Sequence, residues 1–157
     1  MISVRIRRPF LSLISKKPIL IIVNKMVLNF LPGNKTDLGI LICSNEEITT
    51  LNQQYRGVDR ATDVLSFSSD EIDPETGNQY LGDIVISCET AAVQAKLSGH
   101  DLQTEIFILL IHGFLHLLGY DHDTIINKEE MWRTQFNIHK TLGIEVQSLP
   151  GDDDQPS

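Results

Sequence analysis

Apolar and polar residues alternate at the start of the chain, where Ile2, Val4 and Ile6 are separated by Ser3, Arg5 and Arg7. A period of two predicts a half-buried strand, and Pro9 limits it. From Pro18 the period lengthens: Ile19, Ile22, Val23, Met26, Val27 and Phe30 fall at i, i+3, i+4, i+7, i+8 and i+11. This predicts an amphipathic helix with a proline in its first turn. A turn at Pro32, Gly33 and Asn34 leads into an apolar run over residues 38–43, short enough for a central strand. Ser44 followed by Glu47 is a capping-box signature opening a helix through about Tyr55. Residues 64–67 read as a short third strand, and residues 68–79, with Asp70, Asp73, Pro74 and Gly77, as a loop.

Residues 81–87, centred on Ile84, Val85 and Ile86, form the fourth expected strand, and a helix from about Glu89 should end near Gly99. The helix expected next, over residues 102–118, is apolar nearly all round, so it must be buried on most faces. Asn127 with Glu130 marks the start of a last helix, closed by Gly143. Strands and helices in this order predict one α/β (α+β) domain over residues 1–145, a four-stranded mixed sheet packed with about five helices. Residues 146–157, which include Asp152, Asp153 and Asp154, are expected to form a disordered acidic tail.

Composition adds a compartment and a charge pattern. A chain of 157 residues, 41% hydrophobic and 22% charged, is ordinary for one soluble domain. Cys43 and Cys88, the two cysteines, sit in apolar runs without C-x-x-C spacing and read as buried reduced thiols. Lys16, Lys17 and Pro18 interrupt the N-terminal apolar stretch, which argues against a secretory signal, and no run reaches the ~20 apolar residues of a bilayer span. The expected location is the cytoplasm. The net charge of −8 is unevenly spread: residues 1–36 hold seven basic side chains and no acidic one. That basic third could follow a phosphate backbone or be a solvated face.

The chemistry concentrates in residues 112–122, which contain His112, His116, Gly119 and His122. Residues four apart lie on one helix face, so His112 and His116 can hold one ion from the same side. Gly119 can take the left-handed conformation that ends a helix and turns His122 back toward them. Three ligands leave a fourth position open, as in catalytic rather than structural zinc sites. The spacing is that of the metzincin proteases, yet their glutamate general base is replaced here by Gly113. Glycine in mid-helix costs about 0.5 to 1 kcal/mol against alanine, which points to a close approach at that position.

This segment resembles the H-G-x-L-H-L-x-G-Y-D-H signature of the YbeY endoribonucleases, also described as ribosomal RNA maturation factors. Residues 51–57 (LNQQYRG), residues 62–67 (TDVLSF) and residues 81–87 (LGDIVIS) agree with further blocks of that family in the same order. The resemblance implies an endonuclease specific for single-stranded RNA, acting with the ribosome or its small subunit in small-subunit (16S) ribosomal RNA 3′-end maturation and quality control. It also implies one zinc per chain on His112, His116 and His122, and a functional arginine at Arg56. Two departures stand out: Ala61 replaces a usual proline, and Gln135 replaces a glutamate often found four residues after the methionine that is Met131 here. Neither departure is expected to touch a ligand.

On the residues alone, Arg56 could neutralise phosphate oxygens or be a helix-end arginine paired with Asp59 or Asp63. Water activated on the metal and the ribose 2′-OH are both compatible nucleophiles. Asp83 or Asp121 could orient a ligand histidine through its free ring nitrogen, or serve only a cap or turn. His100 and His139 fall outside the ligand spacing and read as ordinary surface or core histidines. Tyr55, Phe67 and Tyr80 could stack on bases but read more simply as core. Two other functions fit parts of the pattern: a zinc hydrolase of peptides or small molecules, opposed by Gly113, and a ribosome-assembly factor with a structural metal and weak nuclease activity.

Overall fold

The computed structural model describes residues 1–33 and 35–145; the expected acidic tail at 146–157 lies outside the described residues. The elements are β1 (Ile2–Ile6), α1 (Lys16–Phe30), β2 (Thr36–Cys43), α2 (Asn45–Arg56), β3 (Val64–Ser68), β4 (Gln79–Ser87), α3 (Cys88–Ser98), α4 (Leu102–Leu117) and α5 (Ile125–Leu142). A short 3-10 turn at Arg8–Phe10 follows β1, where Pro9 ends the strand. The sheet order is β1-β2-β4-β3. β1, β2 and β4 run parallel and β3 is antiparallel to β4, which makes the expected mixed four-stranded sheet.

The sheet separates two apolar layers, and this explains why the central strands are apolar on both faces. Leu38, Ile40 and Ile42 of β2 and Ile84 and Ile86 of β4 point into the main core, which Ile19, Val23 and Met26 of α1, Met131 and Ile138 of α5, and most of α4 complete. On the other face Leu65, Val85 and Cys43 meet Ile48 of α2 in a smaller cluster. Ile106, Ile108, Leu109, Leu110, Ile111, Phe114 and Leu115 are all fully buried, as the all-round apolar pattern of α4 requires. Cys43 and Cys88 are free and buried, and burial pushes their thiols up to about 12 and about 11.

Several boundaries differ from expectation for local reasons. The cap of α5 is Thr124, whose hydroxyl accepts from the Asn127 N–H at 3.1 Å, so the helix starts two residues before the expected Asn127 cap. Asn127 instead donates its side-chain amide to Asp123 at 2.9 Å. Ser44 caps α2 by accepting from the Glu47 N–H, but the Glu47 carboxylate turns outward to a bidentate contact with Arg7, at 2.6 Å from Nη2. Among the described residues, no helix is long and apolar enough to cross a membrane.

Candidate metal centre

The helix that presents the histidines is fixed at both ends. At its start the Asp101 carboxylate accepts from the Thr104 N–H at 2.8 Å. At its end the Gly119 N–H returns to the His116 carbonyl and the Tyr120 N–H to the Leu115 carbonyl, each at 3.0 Å. Gly119 has φ +99°, the left-handed region that reverses the chain. Beyond it the Asp121 carboxylate accepts from the His122 N–H at 2.7 Å, holding that residue against the mouth of the site. The close approach expected at Gly113 is with the sheet: a Cβ there would lie 2.8 Å from Ile84 Cγ2 and 3.1 Å from Ser66 Oγ. The Ser66 hydroxyl donates to the Gly113 carbonyl at 2.9 Å.

His112, His116 and His122 each offer a ring nitrogen, and these atoms lie within 4.8 Å of one another. Nε2 of His112 and Nε2 of His116 are 3.1 Å apart. Two nitrogens at zinc bond lengths on a tetrahedral ion would stand about 3.3 Å apart, so the pair fits a single small divalent metal. Exposure rises from buried His112 through half-buried His116 to exposed His122, so the cluster closes inward and opens to solvent. Burial, then the neighbouring His116, pushes His112 down to about 4, and burial, then His122, lowers His116. Both therefore stay neutral at pH 7, with lone pairs free for a metal.

The partner of His112 comes from α5. Gln135, fully buried, sets Oε1 at 3.1 Å from His112 Nδ1 and donates from Nε2 to the Ile108 carbonyl at 3.2 Å. Gln135 thus touches one of the three candidate ligand histidines, contrary to the expectation that this substitution would not. Its sequence signal is position: Met131, Gln135 and Ile138 fall at i, i+4 and i+7, so an amide interrupts an apolar stripe. Asp83 does not orient a histidine; it accepts from the Tyr80 hydroxyl, which burial and then this carboxylate push above its usual range. Asp121 acts on the backbone of His122 rather than on a ring nitrogen.

The three histidines open into a cleft of about 770 Å³ that Arg56, Asn52, Arg60, Thr62 and Ser68 also line. Arg56, the last residue of α2, donates from Nη2 to the Ser66 carbonyl at 2.8 Å and lies 5.7 Å from the centre of the Phe67 ring. It pairs with neither Asp59 nor Asp63, and among the described residues no carboxylate lies within ion-pair distance of it. Asp63 is occupied elsewhere, accepting from the Val64 N–H at 2.8 Å and the Gln94 amide at 3.2 Å. The loop between α2 and β3 is held by buried Asn52, which donates to the Arg60 carbonyl at 3.0 Å. The sequence signal for Asn52 is position: Ile48, Leu51 and Asn52 fall at i, i+3 and i+4, so an amide shares the inward stripe of α2.

The remaining candidates disperse. His100 is half-buried against Glu105 at 2.7 Å, and His139 is buried and pushed down to about 4 by desolvation. Tyr55 is exposed and meets Phe67 edge to face at 5.5 Å.

The family description for endoribonuclease YbeY matches residues 15–143. Curated relatives include an endoribonuclease YbeY of Limosilactobacillus reuteri, 42% identical over 123 residues that span 71% of this chain and 77% of the relative. Another, from Clostridioides difficile, is 44% identical over 111 residues, 69% of this chain and 72% of the relative. A solution structure from Thermotoga maritima is 28% identical, with TM-score 0.62 over 91% of this chain and 90% of that one.

Proposed function

The chain belongs to the endoribonuclease YbeY family, and from that we propose that it is a zinc-dependent endoribonuclease for single-stranded RNA, acting in small-subunit ribosomal RNA 3′-end maturation and ribosome quality control. The observation that supports this reading most is the sharing of one open cleft by the three-histidine cluster and an arginine that, among the described residues, has no carboxylate partner. A divalent metal held by His112, His116 and His122 would supply Lewis-acid charge and lower the pKa of water at its open position. Arg56 is assigned to the phosphodiester. Its Nη2 is anchored to the Ser66 carbonyl, which leaves the rest of the guanidinium to face the non-bridging oxygens as charge develops on them. His122 and Asp121 line the solvent side of the same cleft, where the strand would enter. The free buried thiols support a reducing, cytoplasmic setting.

Against a peptidase, the wall behind Gly113 leaves no room for a glutamate base. Against a purely structural metal, the third histidine is exposed at a cleft rather than enclosed. The decisive experiment pairs metal content by mass spectrometry with cleavage of a single-stranded ribosomal RNA fragment by wild type and His116→Ala. Stoichiometric zinc in wild type and loss of cleavage in the variant are expected. Equal residual cleavage in both would reassign the activity to a contaminant and favour the assembly-factor role.

A further inference from the structure

We propose that Gln135 is the positioning residue of the metal centre: held by the Ile108 carbonyl, its amide oxygen fixes the proton of His112 on Nδ1 and so presents the Nε2 lone pair to a divalent metal. This rests on the metal reading above and deepens it.

The argument begins with an acceptor. The Ile108 carbonyl can only accept, so the atom of the Gln135 amide facing it at 3.2 Å must be the NH2 group. The other end of the amide, facing His112 Nδ1 at 3.1 Å, is then the carbonyl oxygen, which can only accept. A proton must therefore sit on Nδ1. A neutral imidazole carries one proton, so Nε2, the atom turned toward His116, keeps its lone pair.

The amide nitrogen also lies 3.5 Å from His139 Nε2, a long contact whose direction follows the tautomer of that ring. The orientation of the amide is therefore set by the Ile108 carbonyl, which can only accept. Turning it over would set the NH2 group against a protonated Nδ1 and the oxygen against the Ile108 carbonyl, and would leave buried donors and acceptors without partners. Ile108 and His112 both lie on α4, one turn apart, so Gln135 reads two successive turns of the helix that presents the ligands. Partners of this kind, on the far ring nitrogen of a ligand histidine, typically change metal affinity 10–100-fold when removed.

The test uses the full chain, wild type beside Gln135→Glu and Gln135→Met. In the metal-free wild type, nitrogen-15 NMR of the histidine rings should show His112 protonated on Nδ1; a proton on Nε2 would overturn the assignment. Zinc affinity, measured by competition with a chromophoric chelator, should fall about 10–100-fold in Gln135→Met and stay near wild type in Gln135→Glu, which retains an acceptor for Nδ1–H. Wild-type affinity in Gln135→Met, or an equal loss in both variants, would reduce Gln135 to packing. The wild-type tautomer decides the proposal even where a variant fails to fold. Absence of zinc binding by wild type would strike the metal reading, while the tautomer would still decide the role of Gln135.

Discussion

The two walls of the cleft are built differently. On one side α4 and α5 hold His112 in the main core, with its far nitrogen hydrogen-bonded to a fully buried amide and its helix in contact with the sheet at Gly113. On the other, Arg56 sits exposed at the end of a polar helix, anchored by one bond to a strand carbonyl and followed by a loop that Asn52 ties down. If the first wall holds a metal, as proposed, its nitrogens gain from the rigidity of a packed interior. If the second receives an RNA strand, it can remain solvated and still supply charge.

The contrast predicts which property fails on each side. The largest effect is expected for His116→Ala, which should abolish tight zinc binding and lower the thermal midpoint, because the ion ties α4 to the turn that follows it. One tightly bound zinc per chain in that variant, by mass spectrometry, would break the comparison at its rigid side. Arg56→Ala should leave folding and zinc content unchanged and reduce RNA cleavage by about 10²–10³-fold, the scale of a lost charge-stabilising donor. A fall in thermal midpoint comparable with that of His116→Ala would mean that the open wall is as structural as the closed one.

Acid should weaken the closed wall first. His112 and His139 are both held near 4 when folded, whereas an unfolded histidine titrates near 6.5. Between these values the unfolded chain binds more protons, so stability is complete above about pH 6.5 and falls as pH drops toward 4, by up to about 1.4 kcal/mol per pH unit per histidine. Urea unfolding of the metal-free protein at pH 7 and pH 5 measures this, and equal midpoints would refute it. A smaller effect, about 1–3 kcal/mol of destabilisation, is expected for Gly113→Ala, whose methyl group would press on Ile84, Ser66 and Val64. Unchanged stability there would show that the helix can move off the sheet without harm.

Much of this was legible in the chain because it depends on neighbours in sequence. The period of two in β1, the apolar stripe of α1, and the four-residue spacing of His112 and His116 are local patterns, and each led to the element observed. His122 could be placed beside the other two histidines because Gly119 announces the turn. What escaped depends on partners far along the chain. Glu47 looked like half of a capping box, but Arg7, forty residues earlier, claims its carboxylate. Asp83, one of the two acids suggested as a histidine partner, belongs to Tyr80, whereas Gln135 hydrogen-bonds His112 from a helix 23 positions beyond it. The α5 cap was misplaced for the opposite reason: two capping residues three apart, Thr124 and Asn127, gave competing local signals, and the threonine prevailed.

The distance in sequence between His112 and Gln135 also imposes an order on synthesis. The three histidines are all made before Gln135, and His112 meets its partner only when α5 packs on α4. Until α5 docks, the contact that would hold the His112 proton on Nδ1 is missing. On the metal reading proposed above, docking of α5 would therefore complete the site, and the last helix would come between translation and metal loading.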